Sequence, residues 1–223
     1  MPRPIVIFDL DGTLADTRRD LIPSLNRTIA LAGLPAIPYE DVGHVVGHGV
    51  KPMIAHAFRY HGHTVEPELM DQLFSAYMND YGENLAVHTA LFEGVLEALD
   101  HLAGRGHVLA VCTNKYEQMA RKLLDALSMS RHFAALTGGD SFEFRKPDPR
   151  HLTETIRLAG GDQRRAVMVG DSRTDIDTAR AAAAPAANTG GALEYMEVAG
   201  GGRPLESPAP PVFAVPTTAG TGS

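Results

Sequence analysis

At 223 residues the chain can bury a sizeable core, as one large domain or as a core with a smaller insert. A net charge of −7 argues against a surface built for nucleic acid. The single cysteine, Cys112, excludes an internal disulfide and suits a reducing compartment. Cys112 lies inside an apolar run and reads as a buried structural thiol. The N-terminus has no basic segment leading into an apolar stretch, so no secretory signal is expected. No run is long and apolar enough to span a membrane. The expected setting is the cytoplasm, without a membrane or nucleic-acid partner.

The first element is the apolar, β-branched run Ile5–Phe8, which reads as a buried strand. It ends in Asp9 and Asp11, and Gly12 and Thr13 then turn the chain. Alternation along an extended chain lets both acids point the same way. Two carboxylates that close repel unless a positive charge sits near them, and a hard divalent cation with oxygen ligands, Mg²⁺, answers that. A plain polar turn would use the same residues.

Helical spacing follows from Asp16 to Ala32, with Leu21, Leu25 and Ile29 on one side, and Gly33 and Pro35 stop it. Ile54, Ala57 and Phe58 mark a short helix. Pro67 opens another, with Leu69, Leu73, Ala76 and Tyr77 as its stripe. Residues 16–88 therefore read as an all-helical insert, a cap over a site, without a convincing strand. Its histidines His44, His48, His56, His61 and His63 lack metal-ligand spacing and read as solvated loop residues.

From Phe92 strand and helix alternate. Gly94 to Leu102 reads as a helix with Val95, Leu96, Leu99 and Leu102 inward. His107–Cys112 is a second strand, running into Thr113, Asn114 and Lys115, and Tyr116–Leu127 is a helix. Phe133–Thr137 is a third strand, followed by Gly138-Gly-Asp140 and the proline-stiffened loop Phe144-Arg-Lys146-Pro-Asp-Pro149. Arg164–Val169 is a fourth, ending in Gly170-Asp171-Ser172 with Asp175, before a helix from Ile176 to Ala184. This rhythm predicts an α/β fold with a mostly parallel, Rossmann-like sheet and right-handed crossovers.

In a parallel sheet the strand ends share one edge. That edge collects Asp9, Asp11, Thr113, Asn114, Lys146, Asp171 and Asp175. Acids for a cation, hydroxyl and amide donors and a lysine suit the binding and transfer of a phosphoryl group. Taken singly, Asp175 could only cap the following helix, Thr113 could be an ordinary strand end, and Lys146 could be solvated.

Four stretches, Asp9-Leu-Asp11-Gly-Thr13, Thr113, Lys146-Pro-Asp-Pro149 and Gly170-Asp171-Ser172 with Asp175, resemble the four motifs of the haloacid dehalogenase superfamily of phosphohydrolases. The helical insert resembles that superfamily's small cap. The wording around Gly138–Asp140 and Val169–Arg173 is similar to the phosphoglycolate phosphatase branch. The resemblance implies Asp9 as nucleophile, and Asp11 as acid and then base. It implies Thr113, the Asn114 backbone, Lys146 and the backbone around Gly12 as phosphate contacts. Mg²⁺ would be held by Asp9, the Asp11 carbonyl, Asp171 and Asp175, the last directly or through water. An acid at position 11 disfavours dehalogenation. The implied substrate is a small phosphorylated metabolite, 2-phosphoglycolate first, with Lys51 and Arg59 as cap cations for its second charge. Oligomeric state is not legible.

The resemblance places a core at 1–15 and 89–185 and a cap at 16–88. Residues 186–223 depart from it. They are rich in Gly and Pro, carry one short strand candidate at Val212–Val215, and read as a disordered tail that replaces the superfamily's next strand. Two other functions share the motifs. A sugar-phosphate mutase would return the phosphoryl group to its substrate, and a non-catalytic protein would use the pocket only to bind a phosphorylated ligand.

Overall fold

A computed structural model describes residues 3–42, 46 and 49–187. The described residues form two compact units, Ala15–Leu91 and a second assembled from the segments on either side of it.

The larger unit is built on a four-stranded parallel sheet. Its strands are β1 (Arg3–Phe8), β4 (Val108–Cys112), β5 (Ala135–Thr137) and β6 (Gly161–Val169), in the order β5-β4-β1-β6. β1 is central because Ile5, Val6, Ile7 and Phe8 are apolar on both faces, and all four are buried. Alternate residues divide between the faces. Ile5, Ile7, Val108, Ala110, Cys112 and Met168 pack with Leu152 and Ile156 of α7 (Pro149–Leu158) and with Ala179 and Ala182 of α8 (Arg173–Ala187). Val6, Phe8, Leu109 and Val111 turn to the other face, where Phe8 meets Phe133 edge to face. Burial pushes the Cys112 thiol up to about 11, as suits a structural residue.

β6 starts three residues before the predicted Arg164. Gly161 reaches Arg3 only because it has no side chain, since a Cβ there would lie 2.7 Å from Ile5. The third strand is shorter than predicted, Ala135–Thr137, because a 3₁₀ turn occupies Ser130–His132 just before it. The helix α5 (Val95–Gly104) buries Leu99 but leaves Leu96 exposed, so Leu96 is not inward as expected. The helix α6 (Glu117–Ala126) follows β4.

α8 runs on to Ala187, past the predicted end at Ala184 and two residues into the predicted tail. A run of alanines, the strongest helix formers, carries it through Pro185. The rest of that tail, Val212–Val215 included, lies outside the described residues. Among the described strands β6 is a sheet edge.

The smaller unit is helical: α1 (Arg18–Ala30), α2 (Tyr39–Val42), α3 (Val50–Tyr60) and α4 (Pro67–Asn84). Its two ends pair as an antiparallel ribbon of β2 (Ala15–Asp16) and β3 (Ala90–Leu91), strands too short to leave a periodic signal in sequence. The buried Asp20 carboxylate accepts the backbone N–H groups of His88 and Thr89 at 2.8–3.0 Å and so ties the exit of the unit to its first helix. Tyr77 and Tyr81 stack in its core, and Arg27 forms a two-pronged pair with Asp80 across α1 and α4.

His56 sits on α3 and bonds the Asp41 carbonyl at 2.9 Å, and His61 bonds the Pro35 carbonyl at 2.9 Å. His56 thus lies on a helix rather than in a loop, whereas His61 keeps solvent contact at the end of α3. His63 is exposed, and His44 and His48 lie outside the described residues. No helix among the described residues is long and apolar enough to cross a membrane.

Candidate active site

The carboxyl edge of the parallel sheet gathers the predicted residues. Asp9 follows β1, and its backbone N–H continues the sheet by donating to Val169 at 2.9 Å. Asp171 and Asp175 follow β6. Carboxylate oxygens of Asp9, Asp171 and Asp175 lie within 4.8 Å of one another. Lys146 arrives from the loop before α7, and its Nζ donates to Asp175 Oδ1 at 2.6 Å and reaches Asp9 Oδ1 at 3.0 Å. Asp9, Lys146 and Asp175 are all buried.

Burial pushes Asp9 up to about 7, with Lys146 opposing and the charges of Asp175 and Asp11 adding to the rise. Burial by itself would drive Lys146 toward neutrality. The charges of Asp9 and Asp175 outweigh it and hold the ammonium above the usual lysine range. Asp171 keeps solvent contact, yet desolvation raises it, Thr13 opposes this by donating to its Oδ1 at 3.0 Å, and Asp175 adds to the rise.

Lys146 is held by its backbone as well as its ammonium. Its N–H donates to His151 Nδ1 at 3.2 Å, and its carbonyl accepts from Asn114 Nδ2 at 3.0 Å. Burial, then the Lys146 charge, lowers His151 to about 4, which keeps the ring neutral and its Nδ1 an acceptor. The Asn114 side chain therefore braces Lys146 through one of its two amide N–H groups. Thr113 is buried at the end of β4, and its Oγ1 accepts the Lys115 N–H at 3.2 Å. A hydroxyl that accepts there still has a proton to donate.

The turns fit equally closely. Gly12 has φ +83°, and a Cβ there would lie 2.4 Å from Asp171 Oδ2. Gly138 and Gly139 run against the backbones of Glu117 and Asn114, where a Cβ would come within 2.4–2.5 Å. Gly139 N–H donates to the Lys115 carbonyl at 2.9 Å, and Asp140 accepts the Glu117 N–H at 2.7 Å. The segment after β5 thus clamps the segment after β4.

Two placements differ from the sequence reading. The Asp11 side chain stands apart from the other three acids and pairs with Lys115, whose Nζ lies 2.8 Å and 3.1 Å from its two oxygens. Asp175 does cap a helix, but α8 begins earlier than predicted. Ser172 N–H and Oγ donate to Asp175 Oδ2, so Asp175 acts from inside the first turn while its other oxygen holds Lys146. Sequence reasoning missed Lys115, His151 and Ser172. Lys115 left a signal as a cation directly after a strand end, and Ser172 as part of the Gly170-Asp171-Ser172 stretch, but neither was given a role.

The donor set fits a hard cation. Asp9, Asp171 and Asp175 offer carboxylate oxygen alone. Fully ionised, the edge carries four carboxylates against the two ammonium groups of Lys115 and Lys146, a deficit that one divalent cation balances. Asp9 and Asp171 have the more open oxygens, because both oxygens of Asp175 already accept hydrogen bonds.

Residues 6–188 match the model of the haloacid dehalogenase-like hydrolases. The chain is 49% identical over 185 residues to a phosphoglycolate phosphatase of Mesorhizobium japonicum, covering 83% of this chain and 82% of that one. It is 48% identical over 182 residues to a phosphoglycolate phosphatase of Agrobacterium fabrum, covering 82% and 78%. The crystal structure of a predicted phosphoglycolate phosphatase from Haemophilus somnus superposes with a TM-score of 0.74 at 28% identity, covering 79% of this chain and 80% of that one. The matched span takes in every acid and lysine of the cluster, and the chain belongs to the haloacid dehalogenase-like hydrolase family.

Proposed function

We propose that the chain is a Mg²⁺-dependent phosphomonoester hydrolase that acts on 2-phosphoglycolate through a phosphorylated Asp9. One observation carries the reading: Asp9, Asp171 and Asp175 converge around the buried Lys146 at the carboxyl edge of the sheet. The names of the relatives support the substrate.

Asp9 Oδ1 accepts the Leu10 N–H at 2.8 Å and faces Lys146, so Oδ2 is the oxygen that attacks phosphorus. The bond from phosphorus to the ester oxygen breaks, and Asp11 gives the leaving alkoxide its proton. Water then attacks the aspartyl-phosphate, Asp11 takes the water's proton, and Asp9 and phosphate are released. Lys146, Thr113 and the backbone N–H groups of Asn114 and Gly12 hold the phosphoryl oxygens. Asp9, Asp171 and the Asp11 carbonyl would hold Mg²⁺, with Asp175 supporting it directly or through water. The cation would supply positive charge to the phosphoryl oxygens as negative charge builds on them.

Phosphate release from a panel of phosphomonoesters, with and without Mg²⁺, tests the reading. Wild type should be fastest on 2-phosphoglycolate and idle without Mg²⁺. Asp9→Asn should lose on the order of 10⁴-fold or more in kcat, as for other enzymes deprived of a nucleophile. A variant that keeps turnover would move the nucleophile elsewhere. Faster release from another ester would retain the chemistry and replace the substrate.

A further inference from the structure

Lys115 has no part in the chemistry above, yet its ammonium is almost wholly buried. Its side chain is 5% exposed and that of Asp11 is 8% exposed. Burying such a pair costs desolvation of both ions, and a buried pair is often no more stable than apolar residues of the same size. Neutralising Asp11 is therefore a weak reason for a lysine here.

The position suggests another reason. Lys115 directly follows Thr113 and Asn114, and its carbonyl is fixed by the Gly139 N–H at 2.9 Å. Its Nζ reaches both oxygens of Asp11. An ammonium on a flexible stem is a point charge that can turn between two carboxylates.

We propose that Lys115 is a specificity-determining residue, which binds the carboxylate on the leaving group of the substrate while keeping Asp11 aimed at the ester oxygen. The inference rests on the phosphoglycolate reading. There the leaving group is glycolate, whose carboxylate lies one methylene from the ester oxygen that Asp11 protonates. A cation bonded to Asp11 is within reach of that carboxylate. Lys51, the cation expected from sequence for this charge, is instead exposed and paired with Asp71 at 2.7 Å. Lys146 is held between Asp9 and Asp175. Lys115 thus reads the part of the ester that the phosphate pocket does not touch.

The test compares 2-phosphoglycolate with 2-hydroxyethyl phosphate, an ester of the same length without the carboxylate. K115M should lose about 100-fold in kcat/KM on phosphoglycolate, mostly through KM, the scale of one buried charged contact. Its loss on hydroxyethyl phosphate should stay below about 10-fold. K115R should restore part of the preference. An equal loss on both esters, confined to kcat, would overturn the assignment and leave Lys115 a positioning residue for Asp11. Wild type idle on phosphoglycolate but active on other esters would instead overturn the substrate reading, and this assignment with it. Should K115M fail to fold, K115Q, which keeps a polar stem, carries the same comparison.

Discussion

Two ion pairs of nearly equal length separate the two units. Lys146 meets Asp175 at 2.6 Å with both side chains essentially buried, at 2% and 0% exposure. Lys51 meets Asp71 at 2.7 Å with side chains 51% and 72% exposed. The first pair is locked from every side: Asp9 shares the ammonium, Ser172 holds the far oxygen of Asp175, and His151 and Asn114 hold the Lys146 backbone. The second rests on one contact and a ring face, with Nζ 5.4 Å from the Phe74 centroid. Distance alone does not distinguish them. Desolvation and shared partners do, because they set the cost of losing one charge.

Breaking the buried pair should have the largest effect. Lys146→Met leaves Asp9 and Asp175 facing each other without a cation, and stability should fall by about 3–5 kcal/mol. Denaturant melts measure that loss. Phosphate release should fall with it even at temperatures where the variant stays folded.

A somewhat smaller effect should follow from pH. His151 is neutral when folded, with its pKa lowered to about 4 from an ordinary 6.5. Unfolded chains take up that proton first, so this contribution is complete above pH 6.5 and fades as pH falls toward 4, by about 3 kcal/mol in all. Asp9 works with the opposite sign. Its raised pKa favours the folded state at low pH, and that contribution fades as pH rises toward 7. The difference between wild type and His151→Gln isolates the histidine: stability measured at pH 7 and at pH 5 should drop less in the variant. Identical drops would mean that folding leaves the His151 pKa unlowered.

The smallest effect belongs to the exposed pair. Lys51→Met should change stability by less than about 1 kcal/mol, and added salt should erase the difference. A loss comparable to that of Lys146→Met would show that the surface pair carries weight that its exposure denies.

The sheet was legible because its signals are local. Short, β-branched apolar runs at Ile5–Phe8 and Val108–Cys112 read as buried strands, and the order of turns and helices between them points to parallel crossovers. A parallel arrangement of the four strands then puts Asp9, Thr113, Lys146, Asp171 and Asp175 on one edge. Boundaries were less legible. The antiparallel ribbon at Ala15–Asp16 and Ala90–Leu91 is too short for a period, and the early start of β6 depends on Gly161 fitting beside Ile5.

What the sequence by itself determined is which residues meet at the sheet edge, because backbone pattern and topology place strand ends together. Tertiary structure alone decided which side chain each of them holds. Asp11 and Lys115 stand 104 positions apart, and no periodicity links them. Asn114 donates from its amide to the Lys146 carbonyl, and Asp175 both caps α8 and grips Lys146. Such choices follow from the cost of leaving a buried polar group unpaired, and only the packed fold determines which partner lies within reach.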